Sequence, residues 1–252
     1  MIRGLNVIFI GPAGCGKTSL TNVFGEWCER ELGMTIAYVN LDPGVLNLPY
    51  KPDYDIRELV TVHRLMQEEG LGPNGAMIRA SEIMDENIES IVEKISSFDA
   101  DLRLIDTPGQ MELFLFRPMG PRLSEAISKD SPSITVYISD PSLASNPSGL
   151  AISLSMALIT WLRLSTPTVP VINKIDVFEE GSEKLLTDPS TLKESLLREE
   201  GLIADLAAEY MNLVEDLFKS MRIVKVSAKT GEGMPALYDI IHESLCECGD
   251  LS

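Results

Sequence analysis

Apolar residues along this chain gather into short, nearly unbroken runs, separated by longer stretches in which they recur every three or four positions. The short runs fall at Leu5–Ile10, Thr35–Asn40, Asp101–Ile105, Ile134–Ser139, Thr168–Ile172 and Arg222–Val226. Runs without polar alternation fit strands covered on both faces, as in a parallel sheet. Helical spacing fills the intervals, at Ser19–Leu32, Asp55–Glu69, Ser81–Phe98, Leu150–Leu164, Thr191–Phe218 and Pro235–Cys246. The alternation predicts βαβ units and an α/β fold, a doubly wound, mostly parallel sheet with helices on both faces. Right-handed crossovers then bring ligand-binding loops to the carboxyl ends of the strands. No internal repeat or low-complexity linker interrupts the pattern. Residues 1–252 therefore read as a single domain with helical insertions at about 55–98 and about 179–220. Glu179–Pro189 is polar and reads as a surface loop leading into the second insertion.

The chemistry concentrates where strands end. After the first strand comes Gly11-Pro12-Ala13-Gly14-Cys15-Gly16-Lys17-Thr18, and then a helix beginning with Ser19. This is the phosphate-loop pattern with a strand before and a helix after, so the fold expected is that of a P-loop NTPase. Glycines let the backbone amides of Gly14, Cys15 and Gly16 approach a phosphate chain, and the helix N-terminus adds a field that favours the anion. Lys17 would reach the β and γ phosphates, and the Thr18 hydroxyl would ligate Mg²⁺.

Asp106-Thr107-Pro108-Gly109-Gln110 follows the third strand. An aspartate at that strand end can hold the metal, and Gly109 has no side chain to keep its amide from a γ-phosphate. Gln110 stands where an amide could orient an attacking water. Asn173-Lys174-Ile175-Asp176 follows the fifth strand. A carboxylate at Asp176 can accept from both N1–H and the 2-amino group of guanine, which adenine lacks. The Lys174 stem can cover the base, and Asn173 can tie this loop to the phosphate loop. Ser227-Ala228-Lys229 follows the last strand, where a small residue lets a backbone N–H approach guanine O6.

Composition narrows the reading. A formal charge of −17 over 252 residues would repel a phosphate backbone over most of the surface, so no direct nucleic-acid partner is expected. Four cysteines, one of them in the phosphate loop, make no disulfide framework, and Cys246-Glu247-Cys248 is too short for a zinc site. The first ten residues are taken up by a strand rather than a leader, and no apolar run reaches the roughly 18 residues of a membrane span. A cytoplasmic protein away from membranes is the expectation.

The four motifs, in this order, resemble a P-loop GTPase. Gly72-Pro73-Asn74, in a loop between helical patterns, and Asn40-Leu41-Asp42-Pro43 sharpen this. With Asp106–Gln110 and Glu112 they resemble the GPN-loop GTPases, in their archaeal-type homodimeric form, over essentially the whole chain. The resemblance implies GTP as substrate, GDP as product, Mg²⁺ as cofactor and a dimer whose nucleotide sites face each other. It implies that Asn74 of one subunit reaches the phosphates held by the other, with Asp42, Gln110 and Glu112 near the metal and the attacking water. Lys17 and these four make up the expected catalytic set. It further implies a protein client, RNA polymerase under assembly being the family's example. The chain's short extent beyond its last helix leaves that partner set open. Arg79 and Arg117 could serve as transition-state cations, but nothing in the sequence sets them apart from surface arginines. The apolar stretch Met111–Met119 is expected to be a helix at a dimer contact. Two rival readings stay in view. One is an interaction module that binds GTP and GDP with negligible hydrolysis. The other is a dimeric ATPase, whose extra lysine early in the phosphate loop is missing from Gly11-Pro12-Ala13.

Overall fold

The computed structural model describes residues 4–177, 189–197 and 222–249. Its centre is a parallel sheet with strands β1 (Leu5–Ile10), β2 (Ile36–Asn40), β3 (Tyr54–Asp55), β4 (Leu102–Asp106), β5 (Ser133–Ser139), β6 (Thr168–Ile172) and β7 (Val224–Lys225). Their spatial order is β3-β2-β4-β1-β5-β6-β7, every neighbouring pair parallel. The doubly wound P-loop NTPase architecture expected from the sequence is present.

The unbroken apolar runs have a direct cause. In β1, Leu5, Val7 and Phe9 face one layer, while Ile8 and Ile10 face the other. The first layer holds α1 (Lys17–Leu32), through Leu20, Phe24 and Cys28, and α10 (Met234–Gly249), through Met234, Leu237 and Ile241. The second holds α3 (Pro73–Glu86), α4 (Ile88–Ser96), α5 (Met111–Phe116), α6 (Met119–Ser128) and part of α8 (Pro147–Leu164). A short helix α2 (Val62–Glu68) packs beside α3, and α7 (Pro141–Ala144) leads into α8. A smaller cluster joins Leu150 and Leu154 of α8 to Leu192 and Leu196 of α9 (Pro189–Leu197).

Several boundaries differ from the sequence expectation. The helix expected over Asp55–Glu69 begins instead as strand and 3₁₀ turn. Tyr54 and Asp55 pair with Val39 and Asn40, and the Asp55 side chain accepts from Asn40 Nδ2 at 2.9 Å and caps the turn at Arg57. Gly72-Pro73-Asn74 is the N-terminus of α3 rather than a loop, with Gly72 as N-cap and Pro73 pre-set for the first turn. The expected single helix through Phe98 breaks at Asn87, whose Nδ2 turns back onto the Ile83 carbonyl. In the stretch Met111–Met119, expected at a dimer contact, Met111, Phe114, Leu115 and Met119 are core residues, and among its large apolar side chains Phe116 is well exposed, at 54%. Of the helix expected over Thr191–Phe218, only the part through Leu197 is described. The rest of it, the loop from Glu179 and most of the second insertion lie outside the described residues.

The membrane expectation also changes. Among the described residues α8 is long and apolar enough, by length and composition, to cross a membrane, with a mean hydropathy of 1.3. Interspersed Ser153, Ser155 and Thr160 hide this when only unbroken runs are sought. Leu150, Leu154, Ala157 and Leu164 of the helix are buried in the protein's own core.

Burial predicts a contrast between two phenylalanines. Phe24, fully buried and edge-on to Phe9 at 6.1 Å, should cost about 3–5 kcal/mol when truncated to alanine. Phe116→Ala should stay within about 1 kcal/mol. Urea unfolding of both variants measures the difference.

Candidate functional site

Because every strand runs the same way, six strand ends deliver their loops to one edge. β1 delivers the phosphate loop, which runs from Gly11 into the first turn of α1. Gly11 is required by sterics: a Cβ there would lie 2.2 Å from the Ile138 carbonyl oxygen of β5. Gly16, the N-cap of α1, has φ 92°, and a Cβ on it would lie 2.5 Å from Asn173 Nδ2. Lys17 is buried, with Nζ donating to the Gly11 and Pro12 carbonyls at 2.8 and 3.0 Å. Thr18 and Ser19 follow in the first helical turn, Thr18 half-buried and Ser19 exposed.

One side chain organises the opposite half of the site. Asn173 is buried, and its Nδ2 donates to the Cys15 carbonyl at 2.9 Å. Its Oδ1 accepts from the Lys174 amide at 2.8 Å and the Ala228 amide at 3.0 Å. Three loops are thereby held by one carboxamide. Lys174 takes a left-handed φ of 60° and sends Nζ to the Gly14 carbonyl at 2.8 Å and Asp140 Oδ2 at 2.7 Å. Asp176 Oδ1 accepts from the Ser227 hydroxyl at 2.7 Å, and Lys229 Nζ lies 3.6 Å from Oδ2. The Ser227 hydrogen bond, foremost, holds the Asp176 carboxyl below its ordinary range. Asp176 thus presents an oriented carboxylate, which offers acceptors only.

The other half surrounds Asp106 at the end of β4. Asp106 is fully buried, and its Oδ2 accepts from the Tyr50 hydroxyl at 3.1 Å, while Oδ1 has no hydrogen-bond partner. Burial pushes its carboxyl up to about 6, against the opposing pull of the Thr18 and Tyr50 hydroxyls and of Lys17. A buried carboxylate oxygen left unpaired beside a threonine hydroxyl and a lysine is suited to a hard cation that completes its shell with phosphate oxygens and water. Among the described residues no group of three or more His, Cys, Asp or Glu forms a self-sufficient metal cage. Thr18 and Asp106 therefore fit Mg²⁺ as a pair that depends on the nucleotide.

The residues expected to handle water follow β2 and β4 and open α3. Asp42 Oδ2 accepts from the Gly109 amide at 3.0 Å, and its Oδ1 from the Gly44 amide at 2.8 Å. Gln110 Nε2 donates to Asn74 Oδ1 of the same chain at 3.1 Å. Glu112 is exposed in the first turn of α5. Arg79 is occupied by Glu69, Glu82 and Glu86, with contacts of 3.4 to 3.7 Å, on the outer side of α3.

Two residues of the site escape sequence reasoning. Tyr50 sits in an irregular loop with no periodic signal, stacked on Tyr38 at 5.0 Å. Asp140 directly follows β5 and grips Lys174. An acid after an apolar run is the same cue that marks Asp106, and it could have found Asp140.

The chain is similar to known proteins over nearly its whole length. The family described as a conserved hypothetical ATP binding protein matches residues 9–247. GPN-loop GTPase PAB0955 of Pyrococcus abyssi is 38% identical, over 98% of this chain and 99% of its own. GPN-loop GTPase 1 of Saccharomyces cerevisiae is 27% identical over 96% of this chain, which spans 66% of the yeast protein. The crystal structure of PAB0955 superposes with a TM-score of 0.88 at 36% identity, covering 96% of this chain and 98% of that one.

The raised Asp106 carboxyl gives a pH dependence. With no cation bound, the group is mostly a neutral acid below about 6 and mostly a carboxylate above it. Mg²⁺–GTP affinity should therefore weaken by about tenfold per pH unit as pH falls below that value. Nucleotide binding measured in chelator should change much less. Fluorescent-nucleotide titrations across the range check both.

Proposed function

The chain belongs to the GPN-loop GTPase family, and on that premise we propose a Mg²⁺-dependent, homodimeric switch driven by GTP hydrolysis. GTP binding and hydrolysis follow from membership: three relatives, from Pyrococcus abyssi, Saccharomyces cerevisiae and Arabidopsis thaliana, carry the GTPase name. The observation that carries the finer reading is the Asn173 clamp, which sets the Asp176 carboxylate and the phosphate loop as one unit. Asp176 would take N1–H and the 2-amino group of guanine, Lys174 would cover the base, and the Ser227–Lys229 loop would meet O6. Adenine would leave the carboxylate unpaired, so the guanine name is favoured over the family description that mentions ATP.

Gly14, Cys15 and Gly16 amides would cradle the phosphates, Lys17 would exchange its loop carbonyls for phosphate oxygens, and Thr18, Ser19 and Asp106 would complete the anion and metal shell. Mg²⁺, when bound there, would supply charge neutralisation on the phosphate oxygens. Gln110, Asp42 and Glu112 would orient the attacking water, so catalysis is positioning and electrostatic stabilisation. A client protein, in the family's case an RNA polymerase under assembly, would read the nucleotide state. A cytoplasmic setting agrees with the free, buried thiols Cys15 and Cys28.

The family resemblance supports Asn74 acting on the phosphates of the other subunit. One contact favours a second reading: Asn74 already meets Gln110 of its own chain at 3.1 Å, a geometry suited to positioning Gln110 in cis. Mixing Lys17→Ala and Asn74→Ala subunits separates the two. Action in trans restores about a quarter of wild-type turnover, because half the dimers are mixed and each has one complete site. Action in cis leaves the mixture at the sum of the two inactive parents.

Base selection has its own test. Asp176→Asn replaces an acceptor by a donor, matching the 2-oxo group of xanthine. GTP affinity should fall by about 100-fold or more and xanthosine triphosphate affinity should rise, as competition binding would measure.

A further inference from the structure

Asp42 is assigned above to the attacking water, but its carboxylate is engaged elsewhere. Oδ2 accepts from the Gly109 amide at 3.0 Å, the donor expected to meet a γ-phosphate oxygen. Oδ1 closes a turn on Gly44 N at 2.8 Å. The backbone beneath is fixed. The Asp42 amide donates to Asn40 Oδ1 at 3.0 Å, and Asn40 Nδ2 in turn holds Asp55 at 2.9 Å. The Leu41 amide donates to the Asp106 carbonyl at 2.9 Å, and the Thr107 hydroxyl to the Phe9 carbonyl at 2.7 Å. The loops after β2 and β4 are therefore anchored at their roots, and the Asp42 side chain is a clasp between their outer parts.

We propose that Asp42 is a built-in stand-in for the γ-phosphate, and that it sets how strongly the site discriminates GTP from GDP. The inference rests on the GTPase reading. A carboxylate oxygen and a γ-phosphoryl oxygen compete for one N–H, and they repel each other if both approach it. GDP reaches only to the β-phosphate and leaves the clasp closed. GTP has to displace the carboxylate, which can rotate about its side-chain bonds while its main chain stays anchored. Released, Asp42 is free to hold water beside Asp106, the role its position after β2 implies for hydrolysis. Loss of the γ-phosphate returns the Gly109 amide to Asp42 and draws the two loops together again. One side chain would thus lower triphosphate affinity, serve the reaction once displaced, and reset the loops afterwards.

Binding measurements on the full chain test this. The probes are GDP and a non-hydrolysable GTP analogue, titrated by calorimetry in chelator so that contacts through a metal do not enter. Asp42→Ala removes the competing acceptor, and the ratio of analogue affinity to GDP affinity should rise about tenfold, the size of one charge-assisted hydrogen bond. Asp42→Asn keeps an acceptor for Gly44 and preserves the turn, and its ratio should rise by a smaller factor in the same direction. A ratio that is unchanged or falls in both variants overturns the proposal, since an Asp42 that serves only the metal or the water has no reason to hold GTP off. Failure of the wild type to bind either guanine nucleotide would overturn the parent reading and this one with it.

Discussion

The Asn173 side chain is the interaction on which the site depends. A single buried carboxamide joins the Cys15 carbonyl of the phosphate loop, the Lys174 amide of its own loop and the Ala228 amide of the loop after β7. Its demands propagate outward. Gly16 must lack a Cβ because one would lie 2.5 Å from Asn173 Nδ2. Lys174 must accept a left-handed backbone for its amide to turn back, and Asp140 then fixes its ammonium group. Removing the carboxamide would leave polar groups unpaired in three loops at once, a larger loss than any one hydrogen bond. The sheet makes this possible by ending all its strands on one edge.

The two halves of the site are built differently. On the base side, Asp176, Ser227, Lys174 and Asp140 form a connected network with its acceptors already oriented. On the phosphate side four groups rest on internal partners. Lys17 rests on its own loop's carbonyls, Asp42 on Gly109, Tyr50 on Asp106 and Gln110 on Asn74. In the proposed function, base recognition would be a matter of fit and phosphate recognition an exchange of partners. Exchange moves loops, and loops that move with the γ-phosphate are what a switch requires.

Much of this was legible in the sequence because the chemistry follows strand ends. The apolar runs marked six of the strands, and the motifs after them marked Lys17, Thr18, Asp106, Asn173, Asp176 and Ser227. Short elements were not legible. Tyr54–Asp55 carries no periodic signal; it pairs with β2 where Asp53 bonds Tyr38 and Asn40 and Arg57 hold Asp55. Tyr50 acts through a contact 56 residues away in sequence, which spacing cannot reveal, whereas Asp140 carried a cue in its place after an apolar run. Pro73 misled through its company: Gly-Pro-Asn reads as a turn, yet proline is equally at home in the first turn of a helix. Met111–Met119 looked apolar on too many sides for one core face, but α3, α6 and α8 all border its first helix.

The clamp can be examined most directly in Asn173→Ala, by hydrogen exchange together with nucleotide affinity. Loss of the clamp should speed exchange at the Lys174 and Ala228 amides and leave the β1 amides unchanged. GTP and GDP affinities should fall together by about 30-fold or more, as expected when several buried groups lose a partner. Wild-type exchange in those loops with full guanine-nucleotide affinity would contradict the clamp's role.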